Sequence, residues 1–111
     1  RDWGYAPDYV DAMWRMLQRD TPTDYVIGTG QTLTVRELVE RAFAHAGLDW
    51  NDFVKLDKRY LRPTEVDVLL ADASKAEREL GWKPRVDFAE LIARMVDSDL
   101  ELAAREKRAR G

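Results

Sequence analysis

Residues 60–67 include the side chains of this sequence that are best suited to binding a ligand. Arg62 precedes Pro63, which favours extended backbone at the arginine and presents its guanidinium from a stiff loop. A guanidinium in that position suits bidentate contact with a phosphate. Glu65, three residues later, only accepts hydrogen bonds and suits the two hydroxyls of a ribose. The spacing therefore predicts either that Arg62 and Glu65 bind the diphosphate and ribose of one nucleotide, or that they only pair with each other or with neighbouring residues.

Three other groups of residues leave two interpretations open. Arg1, close to Trp3, is a candidate second phosphate ligand or a solvated arginine beside a buried indole. Gly28-Thr29-Gly30 is either an ordinary turn or a phosphate contact, since a third glycine and a basic partner are both missing. His45 lies near the end of a predicted helix, where interaction with the helix dipole explains it better than catalysis does.

The sequence lacks a complete set of catalytic or metal-binding residues. It has no cysteine and one histidine, which excludes disulfides, cysteine nucleophiles and thiolate metal sites. There is no Gly-x-Gly-x-x-Gly dinucleotide motif, and no tyrosine is followed by lysine four residues later. We therefore expect ligand contacts here, but no catalytic residue and no metal site.

Composition narrows the class of protein further. The chain has 111 residues, of which 45% are hydrophobic, enough for one globular core. Its 21 acidic and 18 basic residues give a net charge of -3, which argues against a nucleic-acid or anionic-membrane binder. The apolar runs are too short for a membrane span. No signal peptide is expected, because the first residues, Arg1-Asp2-Trp3-Gly4, lack an apolar h-region. The absence of cysteine fits a cytoplasmic protein.

Hydrophobic periodicity and capping residues predict four helices. The first covers 9–19 with Asp8 as N-cap, and its buried face is predicted to carry Val10, Met13, Trp14 and Leu17. The second begins at a capping box of Thr34 and Glu37 and ends before Gly47. A short helix runs from a capping box of Ser74 and Glu77 to Leu80, where Gly81 stops it, and the longest begins at Asp87. The aromatic and methionine side chains expected in the core are Met13, Trp14, Phe43, Phe88 and Met95.

Three short strands are predicted at 25–27, 53–56 and 68–71. Strands of this length do not form a strong sheet alone, so we expect them at the edge of a sheet supplied from elsewhere. The predicted fold class is α/β, with mixed helices and short strands. Residues 1–104 are expected to form one lobe of a larger body, and 105–111 a basic, frayed tail.

Three stretches resemble the GDP-mannose 4,6-dehydratases, a family of extended short-chain dehydrogenases/reductases. They are Arg-Asp-Trp-Gly-Tyr at 1–5, Tyr-Leu-Arg-Pro-Thr-Glu-Val-Asp at 60–67 and Leu-Gly-Trp-Lys-Pro at 80–84. The order and approximate spacing agree along nearly the whole chain except its basic tail. The second stretch is the specific one, because other extended members tend to carry Arg-x-Gly-Asp there.

The resemblance implies that this chain is the carboxy-terminal substrate-binding lobe of a Rossmann-type enzyme whose Rossmann half lies outside it. The family is a lyase family that converts GDP-mannose to GDP-4-keto-6-deoxy-mannose and water, towards GDP-fucose, with NADP as a transient hydride carrier. Its catalytic Thr, Glu, Tyr and Lys and its cofactor site lie upstream of the residues matched here. The isolated chain is therefore expected to be inactive.

The resemblance also assigns roles to individual residues. It implies that Arg1 and Arg62 contact the diphosphate of GDP-mannose or another GDP-sugar and that Glu65 contacts the ribose. Tyr60 is expected beside the site, and Tyr5, which stands where many members have histidine, has less support. For the complete enzyme it implies a homo-oligomer, a dimer or tetramer. The alternatives are a freestanding nucleotide-sugar-binding or interaction module and, disfavoured by the acidic charge, a regulatory or nucleic-acid protein.

Overall fold

A computed structural model describes residues 1–60 and 68–111 of the chain, and their regular structure is helical. The helices are α1 (Ala6–Leu17), α2 (Val35–His45), α3 (Ser74–Leu80) and α4 (Phe88–Arg110), with 3₁₀ turns at Trp50–Asp52 and Lys58–Tyr60. The chain divides into two compact units. Unit 1 comprises Arg1–Leu33 and Val68–Leu91. Unit 2 comprises Thr34–Asp67 and Ile92–Gly111, and residues 61–67 of it are not described.

The predicted strands at 25–27, 53–56 and 68–71 do not form, and the described residues contain no strand at all. The predicted helices are found, whereas the mixed α/β character of the predicted fold class is therefore not confirmed for the described residues. A strand needs a neighbour to accept and donate its backbone hydrogen bonds. At the end of 68–71, the Ala71 N–H instead donates to the carboxylate of Asp2, at 3.1 Å.

The core of unit 1 lies between α1 and α3. Its fully or nearly fully buried members are Ala12, Ala76, Leu80 and Trp82. On α1, Arg15 Nη1 donates to the carbonyl oxygens of Leu80 and Gly81, at 3.0 and 3.2 Å, and thereby satisfies the end of α3. Gly81 has a φ of 64°, so the predicted stop of this helix at a left-handed glycine is confirmed.

The face of α1 predicted to be buried is exposed instead. Val10, Met13, Trp14 and Leu17 expose 60%, 62%, 61% and 81% of their surface. The buried face carries Asp8 and Ala12, because the small Ala12 side chain lets α3 approach closely. An apolar stripe on α1 therefore lacks a covering element within unit 1.

Asp8 was predicted as the N-cap of the first helix, and this is wrong. The N-cap is Tyr5, and Asp8 lies in the first turn, 6% exposed. Its carboxylate accepts hydrogen bonds from the backbone N–H groups of Arg85 (3.0 Å) and Val86 (3.2 Å). Its carbonyl oxygen accepts one from Trp82 Nε1, at 2.8 Å. The Asp8 carboxylate therefore bonds to residues far along the chain and does not cap its own helix.

In unit 2, α2 begins as predicted from the sequence. Thr34 Oγ1 accepts from the Glu37 N–H at 3.0 Å, and the Glu37 carboxylate accepts from the Thr34 N–H at 2.9 Å, which confirms the capping box. Gly47 follows the helix with a φ of 76°. Phe43 stacks on Phe53 with ring centroids 5.6 Å apart. Local capping and one aromatic pair therefore hold α2 against the 3₁₀ turn that follows it.

The two later helix starts differ from each other. The predicted Ser74 capping box is wrong, because Ala73 is the N-cap without a side-chain bond and Asp72 accepts from the Ser74 N–H instead. The Asp87 cap is confirmed, since its carboxylate accepts from the Glu90 N–H at 2.8 Å.

Helix α4 buries only its beginning and extends further than expected. Phe88, Leu91 and Ile92 are buried, whereas Met95 and Leu100 are 55% and 49% exposed. The helix continues to Arg110 and so includes residues 105–110 of the basic tail. None of the helices described has the length and apolar character that crossing a bilayer requires.

Candidate functional site

Unit 1 contains an open cleft of about 360 Å³. It is lined by Arg1, Asp2, Trp3, Ile27, Gly28, Leu69, Leu70 and Ala71. The volume falls in the roughly 300–1,000 Å³ range of small-molecule pockets. Its walls are largely apolar, and its charged residues are Arg1 and Asp2. The apolar surface suits a flat part of a ligand, and the arginine suits an anionic group.

The backbone of Arg1, a predicted phosphate ligand, makes two hydrogen bonds with the backbone of Leu33. Its nitrogen donates to the Leu33 carbonyl oxygen at 2.7 Å, and the Leu33 N–H donates back to the Arg1 carbonyl oxygen at 2.9 Å. Residues that exchange both bonds in this way are fixed relative to each other, as in an antiparallel pair. Arg1 therefore enters the cleft from a defined backbone position.

The carboxylate of Asp2 joins three separate segments beside Arg1. Its Oδ1 accepts from the Thr29 N–H at 3.0 Å and from Thr29 Oγ1 at 2.6 Å. Its Oδ2 accepts from the N–H groups of Gly30 (3.0 Å) and Ala71 (3.1 Å). These four bonds draw together segments that are 27 to 69 residues apart in sequence.

Gly28-Thr29-Gly30 is a turn whose donors already have a partner. The N–H groups of Thr29 and Gly30, which a phosphate would need, donate to Asp2. Gly28 allows the close approach on which this depends, because a Cβ there would lie 2.2 Å from the Ala71 Cβ. The turn interpretation is therefore favoured over the phosphate contact. In the described residues, this loop does not fit the pyrophosphate of a dinucleotide cofactor.

The surroundings of Asp2 lower its pKa below the usual value for an aspartate. Partial burial alone would raise the pKa, but the hydrogen bonds from Thr29, Ala71 and Gly30 to the charged form outweigh it. A lowered folded-state pKa stabilises the fold above the pKa of the unfolded state, about 3.9, and that stabilisation is lost as the pH falls through the folded value.

We expect the difference in unfolding free energy between the wild-type chain and Asp2→Asn to shrink below about pH 4. Protonation removes from the wild type the charge that the variant never has, while the shifts of other carboxylates cancel in the comparison. Urea denaturation of both chains between pH 7 and pH 3 measures this difference. A difference that is the same at all pH values would mean that the charge of Asp2 contributes nothing.

The other predicted site residues lie elsewhere or outside the description. Tyr60 ends the second 3₁₀ turn in unit 2, 78% exposed, with the Arg59 guanidinium 5.7 Å from its ring centre. Tyr5 is the half-buried N-cap of α1. Arg62 and Glu65 fall in 61–67, outside the described residues, so their roles remain predictions.

The sequence reasoning missed Asp2. The available signal was a carboxylate directly after a candidate phosphate-binding arginine, in a chain that also has a short Gly-Thr-Gly turn. Nothing in the spacing said that the turn and the carboxylate would meet.

His45, for which an interaction with the helix dipole was expected, is the last residue of α2 and contacts Asp97. Its Nε2 lies 2.7 Å from Asp97 Oδ1, an ion pair when the ring is protonated. Across residues 1–60 and 68–111, no three His, Asp or Glu side chains come together as metal ligands.

Comparison with known proteins gives one consistent match. A family model for GDP-mannose 4,6 dehydratase matches residues 1–95. GDP-mannose 4,6 dehydratase 1 of Arabidopsis thaliana is 59% identical over 107 residues, covering 96% of this chain and 30% of that protein. The Drosophila melanogaster and Homo sapiens GDP-mannose 4,6 dehydratases are 50% and 48% identical, covering 92% of this chain and 30% and 32% of theirs. The chain thus spans about 30% of the length of the curated relatives it matches.

Proposed function

Because the chain belongs to the GDP-mannose 4,6-dehydratase family, we propose that it is the GDP-sugar-binding part of an enzyme that dehydrates GDP-mannose. The product is GDP-4-keto-6-deoxy-mannose, and the complete enzyme is a lyase. The observation that supports the proposal is the cleft in unit 1. Arg1, the first residue of the Arg-Asp-Trp segment, lines this cleft together with apolar side chains.

The proposed ligand contacts are of two kinds, charged and apolar. Arg1 contacts the diphosphate, where a guanidinium can make two parallel hydrogen bonds. Trp3, Leu69 and Leu70 offer apolar surface to the flat part of the nucleotide. The segment 69–71 follows soon after residues 61–67 in the sequence, and this continuity supports Arg62 as a second diphosphate ligand and Glu65 as the ribose acceptor.

Tyr60 is proposed as a neighbour of the nucleotide. Its support is its adjacency to the Leu-Arg-Pro segment and a ring that is open to contact at the end of a 3₁₀ turn. Tyr5 is proposed only as a residue near the site.

Catalysis and cofactor binding are assigned to the part of the complete enzyme upstream of the matched residues. NADP as hydride carrier follows from the family resemblance. The described residues do not fit it, because the donors of the Gly-Thr-Gly turn are taken by Asp2. We therefore assign no proton or hydride transfer to any residue of this chain, and we propose a homo-oligomeric enzyme in the cytoplasm.

A freestanding binding module is the weaker candidate. The exposed apolar stripe of α1, formed by Val10, Met13, Trp14 and Leu17, favours a larger body that covers it. A module that functions alone has no need for four such side chains on one helix face.

A chimera tests the proposal. In it, this chain replaces the aligned segment of the Arabidopsis thaliana GDP-mannose 4,6 dehydratase 1, which is 59% identical over 107 residues. We expect the chimera to bind GDP and to dehydrate GDP-mannose, because the replacement supplies an equivalent binding lobe. The parent enzyme with the segment deleted is the control and should do neither.

The isolated chain should show no turnover of GDP-mannose even with NADP added. Substrate binding does not replace a general base and a bound hydride carrier. Turnover by the purified chain, or a folded chimera that binds no GDP, would contradict the proposed function.

A further inference from the structure

Asp2 lies where all the segments that line the cleft meet. It follows Arg1 directly, and its carboxylate holds the turn at 29–30 on one side and Ala71 on the other. The cleft walls come from these same three segments. Loss of this carboxylate would therefore remove the bonds that tie both walls to the segment that carries Arg1.

The carboxylate has no capacity left for a ligand. An ionised carboxylate offers about four acceptor positions, and Asp2 uses four of them on Thr29 N–H, Thr29 Oγ1, Gly30 N–H and Ala71 N–H. Its negative charge would also repel a diphosphate. Asp2 is thus placed to act on the ligand site through its neighbours, without touching the ligand.

We propose that Asp2 is a positioning residue that aims Arg1 at the diphosphate of the nucleotide-sugar, an inference that rests on the function proposed above. On the far side, the paired hydrogen bonds to Leu33 fix the Arg1 backbone. On the near side, Asp2 fixes it to the cleft walls. A guanidinium makes two parallel bonds to a phosphate only when its direction is set, so a small rotation of this segment costs affinity.

Asp2→Asn in the chimera tests the inference. Every bond to Asp2 is donated to it, so an amide nitrogen would face the N–H groups of Gly30 and Ala71 in one orientation and the N–H of Thr29 in the other. We expect GDP affinity to fall and the KM for GDP-mannose to rise, each about tenfold, with kcat changing much less. Calorimetric titration of GDP and steady-state kinetics measure the two effects.

Two control variants distinguish positioning from charge and from stability. Asp11→Asn removes a negative charge that pairs with Arg15 on α1, and it should leave GDP affinity unchanged. Leu80→Ala weakens the core of unit 1, and at temperatures where the protein stays folded it should also leave GDP affinity unchanged. Equal losses of GDP affinity in Leu80→Ala and Asp2→Asn would overturn the inference.

Thr29 provides a milder test should Asp2→Asn fail to fold. Thr29→Val removes the 2.6 Å bond from the hydroxyl to Asp2 and the longer bonds between that hydroxyl and the Gln31 backbone, and we expect a loss of GDP affinity of roughly threefold. Thr29→Ser keeps the hydroxyl and should restore the wild-type affinity. Wild-type affinity in Thr29→Val would overturn the inference.

A double variant separates this inference from the proposed function. If Asp2 acts through Arg1, then Asp2→Asn should add little to the loss already caused by Arg1→Ala. Fully additive losses, or an unchanged GDP affinity in Asp2→Asn while Arg1→Ala weakens it, would overturn the positioning role and leave the proposed function standing. A wild-type chimera that binds no GDP would overturn both.

Discussion

Replacing Arg62 by alanine in the chimera is expected to weaken GDP binding roughly 10- to 150-fold. The family resemblance places this arginine on the diphosphate, and a charge-assisted contact of this kind contributes about 1.5–3 kcal/mol. Pro63 restricts the backbone beside it, so little ordering is needed for the guanidinium to reach its ligand. Calorimetric titration of GDP measures the loss.

Three further variants show whether the effect is bidentate recognition. Arg62→Lys should recover only part of the affinity, because a point charge cannot reproduce the planar fork. Glu65→Gln should weaken binding less than Arg62→Ala, because the amide still offers one acceptor to the ribose. Arg59→Ala is the matched control: its guanidinium already pairs with Asp57 at 2.7 Å, so its loss should matter little.

Two outcomes would contradict the assignment. Equal GDP affinity in the wild type and Arg62→Ala would make the arginine structural. Equal losses in Arg59→Ala and Arg62→Ala would reduce the effect to net positive charge, without a specific contact.

Replacing Trp82 by alanine is expected to destabilise the chain by about 3–5 kcal/mol, the usual cost of removing a large buried aromatic side chain. Trp82 is 1% exposed and packs between α1 and α3. Its Nε1–H also donates to the Asp8 carbonyl oxygen at 2.8 Å, which would be left without that partner. Domains of this size are commonly stable by about 5–15 kcal/mol, so the loss is a large share.

Urea denaturation followed by circular dichroism measures the change. Trp82→Phe keeps most of the ring but removes the donor, so its cost should be smaller, and it provides a measurement if the alanine variant does not fold. Trp14→Ala is the matched control, because Trp14 is 61% exposed. It should change stability by no more than about 0.5 kcal/mol, and a loss as large as that of Trp82→Ala would contradict the burial of these two residues.

The two tryptophans also show where prediction from the sequence stopped. Trp14 was expected in the core because of its helical spacing, whereas Trp82 lies in no predicted helix or strand. Periodicity shows that a helix has an apolar side, but not which element packs on it. In unit 1, α3 packs on the side of Ala12, where the side chain is small enough for close contact. The apolar stripe of α1 remains outside, as expected of a piece of a larger body.

Features decided by neighbours in sequence were predictable. The Thr34–Glu37 capping box, the Asp87 cap and the left-handed Gly81 all involve atoms within five residues of one another. Chain stiffness keeps such groups within reach of each other. The Ser74–Glu77 box has the same spacing but does not form, because the Ser74 N–H donates to Asp72 instead. The family resemblance was also carried by short, ordered strings of residues, which is why family and proposed ligand could be read before the fold.

Features that need distant partners were decided by the tertiary structure alone. Asp8 does not cap its helix as predicted. Its carboxylate accepts hydrogen bonds from the N–H groups of Arg85 and Val86, which lie 77 and 78 residues away. The predicted strands lacked partners within the described residues, and Ala71 donates to Asp2 instead. Asp2 itself had no recognisable role until the fold brought 29–30 and 71 to its carboxylate. A carboxylate binds whichever donors the fold brings within 3 Å, and spacing along the chain does not record that distance.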